Sequence, residues 1–331
     1  MCKDWSRQVQ PRLWKDLIIN SHFIELLNMA PSPTATALAR NLGHIREVNF
    51  HRANQHQLRL LVEGLPEQLG GIVNEPSTVC TNLTRIDLHV VDFQLIDLMS
   101  KPLLTLLDYN PRLTYLNVFI DIFKIDGVTT ALSKLRHLQH LTVQSDDQTM
   151  DIPEPLLFLR SCLALPELTE LHFVDEAEMH WDDGDETTIR RELEAIINEA
   201  AITRSSRGTN AKKIKQFTFP SNRGGRWNPL PLPLLKSNML DLSTFHIPWF
   251  GPAANIQEIE QVIREHCPNV KHLVYPSHAR DNWDGHSARA VIRGCSGLQS
   301  FTSLIFDDCP DGGLSSLQAT ETLLGNRRLD F

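Results

Sequence analysis

The residues best suited to chemistry in this chain are its 14 histidines, its six cysteines and one acidic run. Asp182-Asp183-Gly184-Asp185-Glu186 could offer carboxylates to a hard cation, but its spacing is not that of a calcium-binding loop, and it reads as a solvated acidic loop. His137 and His140 straddle a turn and a strand rather than sharing a helical face, and no third ligand accompanies them, so no metal site is predicted. His266-Cys267 stands before Pro268 at a helix end, where a buried thiol is expected rather than a nucleophile. Phosphate-binding glycine loops, nucleophile elbows and zincin motifs are absent from the sequence. The expectation is therefore a protein with no catalytic residues, no metal and no cofactor, which is not an enzyme.

The elements that would position these residues are visible as a repeat. L-x-x-L-x-L, with any apolar residue at its three anchors, recurs as Ile45-Val48-Phe50, Leu83-Ile86-Leu88, Leu113-Leu116-Val118, Leu138-Leu141-Val143 and Leu168-Leu171-Phe173. It continues as Ile214-Phe217-Phe219, Leu242-Phe245-Ile247, Val270-Leu273-Tyr275 and a degenerate Leu298-Phe301-Ser303. The last three intervals between first anchors are each 28 residues. The second and third anchors, two apart, share one face of a strand. Between strands, Ile189-Leu193-Ile196-Ile197 and Ile256-Ile259-Val262-Ile263 have helical spacing. Breakers such as Asn110-Pro111, Leu165-Pro166, Cys267-Pro268 and Cys295-Ser296-Gly297 end the helices before the next strand. A strand and a helix in every unit predict an α/β leucine-rich-repeat solenoid, with a curved parallel sheet on its concave face and helices on its convex face.

Composition agrees with a folded chain: 331 residues, 41% hydrophobic and 22% charged. A net charge of −8 argues against nucleic acid or an acidic membrane as partner. No apolar run reaches the length of a membrane span, the N-terminus has no signal-peptide core, and the cysteines lack a CxxC pair. These features predict an intracellular protein, cytoplasmic or nuclear, in which the sequon Asn82-Leu83-Thr84 goes unused. The long interval after the fifth strand holds the acidic loop and a basic connector, Arg204 to Lys215. A second insertion, Arg223 to Pro233, carries Trp227 on an expected rim loop.

The first residues add a resemblance. Cys2-Lys3-x-Trp5, followed by Pro11-x-Leu13-Trp14-x-x-Leu17, resembles the C-terminal half of an F-box, here leading into leucine-rich repeats with the Cys-Pro-x-[LV] endings of fungal members. The upstream L-P-x-E helix of that motif is not in the sequence, and Leu329-x-Phe331 reads as the start of a tenth strand, so the chain is expected to be a fragment. The organisation predicted is a partial F-box-like helical cap over residues 1–30 and about nine repeats over 31–331. The resemblance implies a substrate receptor of an SCF-type cullin–RING ubiquitin ligase. Trp5, Leu13, Trp14 and Leu17 would contact the Skp-family adaptor, and the repeats would hold an unidentified protein substrate.

Three positions per repeat point away from the predicted core, 27 in all, and they contain six histidines against about one expected from random placement. Only Glu47, Arg85, Asp87 and Glu170 among them are charged. A nearly uncharged surface of His and Tyr suits a protein partner. Tyr115, Phe119, His140, His172, His246, His272 and the rim residue Trp227 are therefore expected to bind it. His140 with His172, and His246 with His272, are expected to form neighbouring pairs that make binding pH-sensitive.

Overall fold

The computed structural model describes residues 9–28, 33–50, 80–88, 96–145, 151–152, 154–174, 178–179, 186–206, 212–219, 230–237, 239–246, 256–277, 291–295, 297–306 and 317–323. It forms two compact units, Met1–Leu168 and Thr169–Phe331.

In the first unit, β1 (Asp16–Ile19), β2 (Glu47–Phe50), β3 (Arg85–Leu88), β4 (Tyr115–Phe119) and β5 (His140–Gln144) lie side by side, all parallel. Their register aligns the repeat anchors: Val48 opposite Ile86, Leu116 opposite Leu141, Val118 opposite Val143. Every anchor from Ile45 to Val143 is at most 1% exposed. The accompanying helices are α1 (Ser21–Asn28), α2 (Pro33–Asn41), α3 (Ile96–Tyr109), α4 (Val128–Ser133) and α5 (Pro155–Leu163). In α3, Leu103, Leu106 and Leu107 are buried, one stripe at helical spacing. After β4 the chain enters a 3-10 helix, Ile120–Lys124, and Phe123 meets Phe158 of α5 edge-on with ring centroids 4.7 Å apart. Burying one such large apolar side chain is worth about 1.5–3 kcal/mol.

A shared backbone device locks each repeat to the next. The carbonyl one residue after the first anchor accepts two consecutive N–H groups of the following strand. Arg46 O receives Thr84 and Arg85, Thr84 O receives Thr114 and Tyr115, and Thr114 O receives Gln139 and His140. Lys15 O does the same for Arg46 and Glu47. Trp14-Leu17-Ile19 is thus a further repeat preceding Ile45 by 31 residues, with Leu17 7% and Ile19 0% exposed. The segment expected as a partial F-box-like helical cap contains a strand of the sheet, because its apolar residues fall on the anchor frame.

A second recurrent bond closes the turn before each strand: the first anchor's N–H donates to the carbonyl three residues back, as in Ile45 to Leu42, Leu113 to Asn110 and Leu138 to Leu135. Cys80 and Leu83 depart from this. Asn110, 1% exposed, accepts from Leu83 N–H at 2.8 Å and donates from Nδ2 to Cys80 O at 2.9 Å and Leu106 O at 2.8 Å. Its amide thus bridges the turn of the preceding repeat and satisfies both the donor and the acceptor that the single turn bond would otherwise join.

The second unit repeats the scheme. β7 (Glu170–Val174) pairs in parallel with β9 (Gln216–Phe217). The strands β10 (Thr244–His246), β11 (His272–Ser277) and β12 (Ser300–Phe306) are likewise parallel, joined to β9's side by a parallel bridge between Ile214 and Leu240. The two-residue strand β8 (Glu178–Met179) follows β7 in the chain, and β6 (Asp151–Ile152), of the first unit, precedes it. A ladder of rings runs through the core: Phe173, Phe217, Phe219 and Phe245, with successive centroids 6.2, 4.6 and 6.0 Å apart. The long interval is filled by α6 (Glu186–Ser206), whose Leu193, Ile196, Ile197 and Ala200 are buried. At its end Arg204, 4% exposed, donates to the carbonyl of Lys212, and burial lowers its pKa to about 10. The basic connector is therefore anchored by one buried guanidinium. Next come α7 (Pro231–Lys236) and α8 (Ile256–His266), in which Ile259, Val262 and Ile263 face the core. Beyond β12, β13 (Leu317–Leu323) runs antiparallel along it. Leu329 and Phe331 lie outside the described residues.

Candidate functional site

Strand alternation sends the anchors into the core and leaves the intervening residues on the opposite, open face. In the first unit one register row on that face runs Asp16, Glu47, Arg85, Tyr115, His140, and the next runs Ile18, Asn49, Asp87, Asn117, Thr142. These side chains form a connected network. Lys15 Nζ meets Glu47 Oε1 at 2.7 Å, and that bond is the first cause of the raised Lys15 pKa. Arg85 donates to Asp87 Oδ2 from Nε at 3.1 Å and from Nη2 at 2.6 Å. The Arg85 guanidinium also lies 3.6 Å over the Tyr115 ring, a cation–π contact. Tyr115 and His140 follow with ring centroids 6.0 Å apart and a tilt of 35°. Partial burial lowers the Arg85 pKa, but the bond to Asp87 and the neighbouring Tyr115, Asp87 and Glu47 outweigh it, so the net shift is upward.

Asn117 donates from Nδ2 to the other Asp87 oxygen at 2.5 Å, and its own Oδ1 is buried without a hydrogen-bond donor. Asp87 and Asn117 are each 4% exposed although both sit on the open face. Alternation thus specifies the face a residue occupies but not its exposure.

In the second unit His172 Nδ1 lies 3.0 Å from Thr218 Oγ1 and its Nε2 3.7 Å from Glu170. His246 is half-buried, and its pKa is lowered first by burial and then by the charge of His172. His272 Nδ1 is 2.7 Å from Ser300 Oγ. Register sets His272 opposite Thr244 and His246 opposite Val274, so these two histidines are diagonal rather than directly paired. His246 senses His172 instead, a relation the expected pairing did not include.

Of the residues expected to bind a partner, Tyr115, His140, His172 and His246 are half-buried on open faces, and His272 is exposed. Phe119 is 7% exposed and has little surface to offer, because β4 leads straight into a 3-10 helix whose Ile120, Asp121, Ile122 and Phe123 are all buried. Among the residues expected to meet an adaptor, Leu13 is 69% exposed and Trp14 half-buried, whereas Leu17 is a core anchor of β1 and is closed to a partner. Trp5 and Trp227 lie outside the described residues. Sequence reading missed the Lys15–Glu47 and Arg85–Asp87–Asn117 connections. Their signal was opposite charge two apart on one strand in Arg85 and Asp87, an amide at the position equivalent to Asp87 in the next repeat, and opposite charge on neighbouring strands in Lys15 and Glu47.

Among the described residues no group of three or more His, Cys, Asp or Glu is placed to hold a metal ion. Burial raises the thiols of Cys80, Cys267 and Cys295 to about 12, and that of Cys162 well above its ordinary value. None of these four is poised as a nucleophile. No described helix is long and apolar enough to cross a membrane.

No family model matches the chain, and no curated protein matches it. Among solved structures, one similar chain is the leucine-rich repeat-containing protein LegL7 from Legionella pneumophila. It is 10% identical, covers 88% of this chain and 83% of its own, and superposes with a TM-score of 0.43.

Proposed function

We propose that this chain is a leucine-rich-repeat protein-binding module, and that it serves as a substrate-recognition subunit of an SCF-type cullin–RING ubiquitin ligase. The observation that carries the binding reading is the in-register row Glu47, Arg85, Tyr115, His140. Its polar and aromatic side chains stand on the face opposite the buried anchors and are ordered by their own contacts. Such a surface is preorganised for contact with a polypeptide. The module is not an enzyme; it uses no cofactor, addresses neither nucleic acid nor membrane, and acts in the cytoplasm or nucleus.

The ligase reading is supported by the resemblance of Cys2-Lys3-x-Trp5 and Pro11-x-Leu13-Trp14 to half of an F-box. Docking of a Skp-family adaptor then falls on Trp5, on the exposed Leu13 and on the accessible part of Trp14, while the open face holds the substrate protein. The test is titration of a purified Skp-family adaptor into the full chain, alone and extended upstream through a complete F-box. Saturable binding that is lost in Leu13→Asp supports the ligase reading; absence of binding by both forms overturns it. A repeat scaffold without a ligase role is the second reading. The burial of Leu17 favours it, since this residue of the F-box-like run is spent on the first repeat.

A further inference from the structure

The open face of the first unit has a distinctive charge arrangement. Among the described residues its strand cations are already matched, Lys15 to Glu47 at 2.7 Å and Arg85 to Asp87 at 2.6 Å. A charged partner residue would have to compete with these pairs, and a carboxylate brought to Arg85 would also meet Asp87. The unmet hydrogen-bonding capacity is of another kind. Arg85 is fixed by stacking on Tyr115 and by two bonds to one oxygen of Asp87, and its side chain is 40% exposed. Its Nη1 makes no bond among the described residues, so a partly exposed, stacked guanidinium keeps an unused donor. At the other end of the same network Asn117 Oδ1 is an acceptor without a donor. The Asn117 amide cannot be reversed to relieve this, because its oxygen would then confront Asp87 Oδ1 at the 2.5 Å now spanned by a hydrogen bond.

One donor and one acceptor joined through Asp87 match a neutral group that offers both a C=O and an N–H. The backbone of an extended polypeptide offers them in alternation. We propose that the Arg85–Asp87–Asn117 triad is a main-chain recognition site for an extended, locally uncharged segment of a partner protein. Arg85 donates to a partner carbonyl, Asn117 Oδ1 accepts a partner amide N–H, and Tyr115 with His140 supplies ring surface to a neighbouring side chain. Since Asn117 is 4% exposed, its surroundings open on binding to admit the N–H, while Arg85 keeps its bonds to Asp87. This inference rests on the open-face binding reading and is independent of adaptor docking.

The experiment selects a phage-displayed library of random linear peptides on the full chain and resynthesises the binders. The expected result is enriched segments without net charge whose affinity falls about tenfold in Arg85→Ala. Arg85→Lys, which keeps the charge but not the stacked fork, loses the same amount, and circular dichroism of both variants verifies that they fold. N-methylation of one backbone amide of the peptide weakens binding to the natural chain and has no further effect on Asn117→Leu. Binders rich in Asp or Glu, or affinities unchanged in folded Arg85→Ala and Arg85→Lys, overturn the proposal. If such binders instead lose affinity in His246→Ala and His272→Ala, open-face binding survives without the triad; a library yielding no binder counts against both.

Discussion

Asn110 offers the sharpest test of how consecutive repeats are joined. Its three buried bonds, at 2.8, 2.8 and 2.9 Å, reach a backbone N–H and two carbonyls of the surrounding repeats. At a net worth of roughly 1 kcal/mol each, replacing Asn110 by Ala removes about 3 kcal/mol, since Leu83 N–H and Cys80 C=O both lose their partner. Asn110→Leu places the residue type found at the same position of other repeats, as Leu42 and Leu135. The turn can then re-form the direct Leu83-to-Cys80 bond seen elsewhere, and the expected loss shrinks to about 1–2 kcal/mol. Asn110→Asp keeps the acceptor but sets a buried carboxylate against two carbonyls. Its folded pKa is then raised above the unfolded value, so the variant is most stable at acidic pH and loses stability as pH rises through that folded pKa. Urea unfolding of all three variants across pH measures this. Equal, small losses for Ala and Asp would refute the reasoning, because they would mean that the turn does not depend on the amide.

Three other outcomes follow from the same contacts. A Cβ on Gly294 would stand 2.8 Å from Ile263 Cβ and Cγ2 and 2.9 Å from the Glu260 carbonyl; Gly294→Ala should cost at least about 1–3 kcal/mol in a denaturation midpoint, and a neutral effect would contradict the close packing of α8. His246 has a folded pKa below its ordinary 6.5, so it contributes stability above that value which is lost as pH falls through the folded pKa. A His246→Phe variant should flatten this acid-side slope of the midpoint, and an unchanged slope would place the titration elsewhere. Cys80, Cys162, Cys267 and Cys295 should resist a thiol reagent at mildly alkaline pH and react only on unfolding, as read by mass spectrometry of the labelled peptides.

Much of the fold could be read from the anchors, because a buried strand face needs apolar residues two apart and a run of similar parallel strands needs them at a recurring interval. Ile45, Leu83, Leu113 and Leu138 all occupy the positions the pattern assigns them. The first strand escaped notice for a physical reason. Trp14 fills an anchor position that leucine or isoleucine fills elsewhere, and the same residues carry a resemblance to a helical motif. The antiparallel course of β13 was not legible, since a parallel and an antiparallel neighbour present the same period-two pattern to β12. On the open face, the strand period placed Arg85, Tyr115 and His140 on one side. It could not show that Asp87, Asn117 and Phe119 would be covered, because lateral crowding depends on which side chains bond across strands. His246 has its pKa lowered by the charge of His172, whereas the register sets His272 diagonal to it, a distinction the repeat count alone does not make.

The most direct measurement of the central claim is site-specific photo-crosslinking of the full chain in cells. A benzophenone amino acid replaces, one at a time, Tyr115 and His272 on the open faces and Lys101 and Lys134 on the helical side. The account predicts discrete crosslinked protein partners from positions 115 and 272 and none from 101 and 134. Equal crosslinking from all four positions, or partners captured from the helical side alone, would contradict it.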